Sequence, residues 1–220
     1  MNFSEILNEA LAIDQVNTTP GKEKVVVLIG RLQPPTKAHI KIIEDGMKNE
    51  NMGGVIGVIK SDNKNSPFPV SLISKMLKTV NPKIEVLSLT SGFIGDFISE
   101  LRDKDKEPVI LYAGSDRVNS YKGQLKRYSE KLNLSLNIVE ITITDEDISA
   151  SKVREAILND DIKTFKKMMD PKLVKYFEEM KGFLTWANQK KVKRLKLLLL
   201  NLSNLLKNKK TKRKNKVDKV

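Results

Sequence analysis

The stretch VVVLIGRLQPPTKAH, Val25 to His39, decides the fold. Its first half is an unbroken apolar run ending at Gly30, which reads as a buried strand. Its second half opens a helix, TKAHIKIIEDGMK (36–48). Pro34 and Pro35 fix φ just ahead of that helix, where a missing N–H costs nothing. Between the two halves Gly30 is expected to let the backbone turn at the strand end, and Arg31 follows it. The loop holds neither G-x-G-x-x-G nor G-x-x-x-x-G-K-[ST], so it carries no dinucleotide fingerprint and no P-loop. It does hold Thr36 and His39, three apart and therefore on one face of the helix's first turn. A hydroxyl, an imidazole and the free N–H groups of a helix N-terminus make an anion site suited to phosphate. His39 is the only histidine of the chain. Beside the apolar stripe of Ile40, Ile43 and Met47 it equally fits a structural residue, and the loop alone leaves both readings open.

Outward from this stretch the pattern alternates. Further strands are expected over 54–60 (GVIGVIK), 83–89 (KIEVLSL), 108–114 (PVILYAG) and 135–143 (SLNIVEITI). Helices are expected over 69–80, 93–103 and 118–132, with Phe93, Phe97 and Leu101 on one stripe of the second. After Ile143 only helices follow, over 149–159, 161–169 and 171–180. Short apolar strands alternating with helices predict an α/β, Rossmann-like fold. It has a five-stranded parallel sheet, helices on both faces through right-handed crossovers, and C-terminal helices after it. Ligands of such sheets bind outside the carboxyl ends of the strands. The chemistry is therefore expected in the loops GRLQPPT, SDNKNSPF, SGFIG, AGSDRVN and TDEDISASKVR.

In the last of these, ISASKVR (148–154) opens a helix. Ser149 or Ser151 is suited to cap it, and Arg154 stands three residues after Ser151 on the same side of the first turn. This is a second helix N-terminus with hydroxyls and a fixed cation. Alone, it also describes an ordinary capped helix with Val153, Ala156 and Ile157 in the core.

The 220 residues suit one domain, and the absence of cysteine rules out disulfides, a thiolate nucleophile and a cysteine-based zinc site. It also fits a reducing cytosol. The opening MNFSEILNEALAIDQ repeats apolar residues at helical spacing. It carries acids and no basic n-region, so it does not read as a secretory signal. No apolar run is long enough to span a bilayer. A cytoplasmic location is expected, in the host's cytoplasm if the chain is viral. The net charge is +13, yet residues 190–220 hold thirteen Lys/Arg against Asp218 alone. That segment carries +12 and leaves +1 for the preceding 189 residues. The basicity is an appendage, not a property of a folded face.

Taken together, TKAH and ISASKVR resemble the two signatures of the nucleotidylyltransferase superfamily, [HT]-x-G-H after the first strand and I-S-S-T-x-x-R at the start of a late helix. Ala38 stands where the first signature has glycine, and Ala150 and Ser151 stand for the Ser-Thr of the second. GRLQPPT also resembles the G-R-F-x-P-x-[HT] opening of the adenylyltransferases that make NAD. GSD (Gly114 to Asp116) falls where the family places nucleotide contacts. The resemblance covers about residues 24–180 and extends to the nucleotidyltransferases of large tailed phages.

This resemblance implies transfer of a nucleotidyl group from an NTP to a phosphorylated acceptor with release of pyrophosphate. His39, Thr36 and Arg154 are implied as catalytic, His39 at the α-phosphate, Thr36 with the helix amides on phosphate oxygens, and Arg154 with Ser149 or Ser151 at the β- and γ-phosphates. Gly30, Arg31, Gly114, Asp116, Ser149, Ser151 and Lys152 are implied as nucleotide-binding. Asp116 would meet ribose or base, although it also fits a turn after a strand. Mg²⁺ is implied as the companion of the triphosphate, held on substrate oxygens and water, with no metal ligand of the chain itself. The arginine of ISASKVR points to ATP, and G-R-x-x-P points to nicotinamide mononucleotide. The alternatives are a cytidylyltransferase acting on a small phosphorylated alcohol and a non-catalytic phage structural or assembly protein.

Three segments are expected: an N-terminal helical extension (1–23), the nucleotidyltransferase domain (24–184), and a basic leucine-rich helix with a disordered tail (185–220). In the last, Val192, Leu195, Leu199, Leu202 and Leu206 form a heptad seam. Its sequence fits a solvated tail, an oligomer contact, a membrane-surface helix or a nucleic-acid tether.

Overall fold

The computed structural model describes residues 21–60, 66–132, 136–141 and 149–189, with Val192, Lys196, Leu198 and Leu199. Outside the described residues lie 1–20 of the expected N-terminal extension, most of SDNKNSPF, the 142–148 part of the last loop, and the tail beyond 199.

The elements run β1 (Glu23–Gly30), α1 (Lys37–Asn49), β2 (Gly53–Ile59), α2 (Val70–Val80), β3 (Ile84–Leu89), α3 (Ile94–Arg102), β4 (Lys106–Gly114), α4 (Ser115–Leu132), β5 (Asn137–Ile141), α5 (Ala150–Leu158) and α6 (Ile162–Met168). A 3₁₀ turn, Pro171–Tyr176, and a helix α7 over 177–189 follow. The five strands form one sheet in the order β3-β2-β1-β4-β5, every neighbouring pair parallel. This is the Rossmann-like architecture that the alternation predicts.

β1 is the central strand because it is apolar on both faces: Val25 to Leu28 are at most 3% exposed. Val26 and Leu28 face a layer containing Ile40 and Ile43 of α1, Leu72, Ile73, Met76 and Leu77 of α2, Val153 and Ile157 of α5, and Met180 and Leu184 of α7. Val25, Val27 and Ile29 face the other layer, with Phe97 and Ile98 of α3 and Val118 and Tyr121 of α4. α1 crosses the sheet closely at Gly46, where an added Cβ would lie 2.6 Å from the Tyr112 ring. The chain moves outward from β1 to β2 and then crosses back to β4. The carboxyl ends of β1 and β4 therefore flank the reversal of strand order, where such sheets open a ligand crevice.

Several boundaries differ from the sequence expectation, and the helix expected over 171–180 is instead the 3₁₀ turn Pro171–Tyr176 followed by α7. β4 begins at Lys106 and carries Pro108 inside it. The β1–β4 register slips there, Val25 pairing Pro108 and Val26 pairing Ile110. A proline with no N–H is accommodated in a strand by such an irregularity. α4 begins at Ser115, three residues before the expected Val118, so AGSDRVN is a helix start rather than a loop. Asp116 in its first turn suits the positive end of the helix dipole. At the other end of the chain, Leu184 is the last core residue among those described, and α7 runs on past it without a break.

Candidate active site

The loop after β1 turns at Leu32, not at Gly30. Leu32 has φ 48°, in the left-handed region, and its side chain is buried. Gly30 has no positive φ, and a Cβ on it would meet Leu32 at an ordinary 3.5 Å. The expected turning role of Gly30 is thus corrected: burial of the leucine side chain holds a conformation that its own backbone disfavours. Gln33 and Thr36 are 5% and 0% exposed, and both prolines between them are buried.

Thr36 is the N-cap of α1 and His39 its third residue. The Thr36 N–H donates to His39 Nδ1 at 3.2 Å, and the Thr36 hydroxyl lies 2.8 Å from the same nitrogen. A backbone N–H can only donate, so Nδ1 is an acceptor. The hydroxyl must then donate as well, and the ring proton sits on Nε2. Burial pushes the imidazole down from its ordinary 6.5 to about 4. His39 is therefore a neutral ring presenting an Nε2–H donor beside the free amides of a helix N-terminus. The expected direct grip of Thr36 on phosphate gives way to an orienting role, because its hydroxyl is buried and committed to His39. Ala38 packs its methyl against the core below.

The second helix start is built as expected. Ser149 caps α5, its Oγ accepting the Lys152 N–H at 3.1 Å. Arg154 donates to the Ser151 Oγ at 3.0 Å and, through its other terminal nitrogen, to the backbone carbonyl of Gln33. That second bond joins positions 121 residues apart and brings TKAH and ISASKVR to one place. Among the described residues two of the five guanidinium donors are used. Desolvation, and then the neighbouring Arg31, hold the Arg154 pKa below its ordinary value. Two arginines sharing a site, with no carboxylate within ion-pair distance of either among the described residues, favour a polyanion.

Sequence reading missed Gln33. Its side-chain amide donates to the Phe68 carbonyl at 2.9 Å and accepts the Phe68 N–H at 2.8 Å. The loop after β1 is thereby pinned to the chain leading into α2, and the carbonyl that Arg154 uses is held in place. The available signal was a polar residue inside an otherwise apolar and proline-rich loop. Gly114 ends β4, and Asp116 is exposed on the first turn of α4, with Arg117 3.5 Å away. Arg31 and Lys152 are exposed. Among the described residues no hydrogen bond or ion pair ties Gly114 or Asp116 to His39 or Arg154. Among the described residues no group of three or more His, Asp or Glu is arranged to hold a metal.

No protein-family model and no curated protein matches the chain. A solved structure does: the nicotinic acid mononucleotide adenylyltransferase of Plasmodium falciparum, complexed with APC. It has a TM-score of 0.52 and 14% sequence identity, and the match covers 73% of this chain and 97% of that one. The chain shares the fold of a nucleotidyltransferase. At that identity the likeness concerns the fold alone.

Proposed function

We propose that the chain is a nucleotidyltransferase joining ATP to a mononucleotide acceptor, nicotinamide mononucleotide or its acid, to give the dinucleotide and pyrophosphate. The observation that carries this reading is the Arg154 bond to the Gln33 carbonyl, which sets two helix N-termini, a neutral histidine donor and two arginines around one crevice. An acceptor phosphate oxygen attacks the α-phosphorus. The α–β bridging P–O bond breaks, and pyrophosphate leaves with the electron pair. The acceptor is already a nucleophile, so no covalent intermediate or strong base is required, and catalysis is positioning plus charge stabilisation.

In this reading His39 Nε2–H donates to an α-phosphate oxygen and gains strength as charge develops there. Arg154, Arg31, Lys152, the Ser149 hydroxyl and the α5 amides hold the β- and γ-phosphates. Asp116 and the Gly114 backbone meet the ribose or base. Mg²⁺ fits as a partner of the triphosphate, bound on phosphate oxygens and water. The nicotinic acid mononucleotide for which the similar Plasmodium falciparum enzyme is named supports this acceptor, as the G-R-x-x-P opening does. The test is pyrophosphate release with ATP and with CTP against a panel: both pyridine mononucleotides and small phosphorylated alcohols. Turnover with ATP and a pyridine mononucleotide supports the proposal. Turnover with CTP and a phosphorylated alcohol replaces it with the cytidylyl reading, and silence throughout favours a binding module.

A further inference from the structure

The C-terminal helix leaves an apolar surface uncovered. Trp186, Val192, Leu198 and Leu199 are 58%, 51%, 58% and 65% exposed. Val192, Leu198 and Leu199 are helical, as is Lys196 among them. Leu158, at the far end of α5 and 45% exposed, lines one groove with Thr185, Val192 and Lys196. The apolar surface thus joins two elements and is rimmed by a cation. Its sequence surroundings are strongly basic and rich in leucine: five Lys/Arg lie within 190–196 and eight leucines within 195–206.

The charge decides among occupants. A second copy would set the five Lys/Arg of 190–196 against their own like along the leucine seam, with no acid from 190 to 217 to pair them. Like charges flanking a seam oppose pairing. A nucleic acid satisfies the lysines but gives eight leucines nothing to bury against. An anionic bilayer satisfies both, leucines at the acyl boundary and lysines on headgroup phosphates. We propose that the C-terminal helix docks the protein on an anionic lipid surface, with Val192, Leu198 and Leu199 as the buried anchors. The groove lies at the opposite end of α5 from its Ser149 cap, about 13 Å along the helix axis, so docking leaves the crevice open.

Trp186 is the only tryptophan in the chain and reports on this helix directly. The full chain is titrated with vesicles of phosphatidylcholine alone and with phosphatidylglycerol added, following Trp186 emission and flotation. A blue shift and flotation with the anionic vesicles only are expected. The double variant L198S/L199S, altered at exposed positions, should melt as the parent does and partition at least roughly tenfold more weakly, since each lost leucine contact is worth about a factor of ten. Three results overturn the proposal: equal partitioning of parent and variant, no flotation, or a Trp186 shift produced without vesicles by duplex DNA or by self-association in solution.

Discussion

In the proposed reaction His39 is the residue on which the chemistry turns, and its environment fixes its protonation. The fold disfavours the charged ring, with a pKa of about 4 against 6.5 when unburied. Between those values the unfolded chain takes up a proton that the folded chain refuses. The His39 contribution to stability is therefore complete above pH 6.5 and lost as pH falls toward 4. Because the chain has one histidine, its imidazole NMR signal is unambiguous. It should titrate near 4, and a midpoint at the ordinary value would remove the buried acceptor geometry. His39→Ala should fold normally and lower kcat by about 10²–10³-fold, the usual cost of one preorganised donor. Near-parental turnover would return His39 to a structural role. Arg154→Ala should raise KM for the triphosphate and lower turnover. Arg154→Lys should restore only part, since lysine keeps the charge and loses the fork. Unchanged triphosphate affinity in both variants would reduce ISASKVR to a capped helix. Both residues were legible in sequence because each sits at a fixed offset from a helix start. The orienting role of Thr36 was not, because burial decides which partner a hydroxyl takes.

At the level of elements, the Gln33 clamp holds two loops and the Arg154 acceptor together. Gln33→Ala leaves the Phe68 N–H and carbonyl unpaired in a buried place, which costs about 1–3 kcal/mol. It should lower Tm and raise KM for the triphosphate more than it lowers kcat. A variant that melts lower with KM unchanged would confine Gln33 to the scaffold. Gly46→Ala forces a methyl against the buried Tyr112 ring and should cost about 1–3 kcal/mol by overpacking, read from denaturant unfolding. The strands and helices themselves were legible because the apolar period switches cleanly between strand and helix. The start of α4 was not, since Ser115 and Asp116 serve turns and helix starts alike. The turn at Leu32 was hidden for a different reason. Glycine is the default residue for a left-handed backbone, and here core burial of a leucine overrides that preference.

Over the whole molecule, the basic segment and the candidate active site are separated along the chain. Leu184 closes the described core, and the segment from 190 carries +12 of the +13. A chain ending at Gln189 should fold, keep its turnover and lose affinity for anionic vesicles. Melting, activity and flotation check this together, and an inactive, aggregated product would place the leucine segment inside the folded enzyme. The sequence revealed the charge division completely, since counting suffices. It left the occupant of the leucine surface open, since that depends on what the helix leaves exposed. No helix among the described residues is long and apolar enough to cross a membrane. The measurement that most directly tests the account is label transfer. The full chain is incubated with ATP labelled at the α-phosphorus, Mg²⁺ and nicotinamide mononucleotide. The account predicts label in NAD and none in the released pyrophosphate, with the transfer reduced in His39→Ala and Arg154→Ala. Label remaining in ATP with every pyridine acceptor, in a protein shown to be folded, would contradict it.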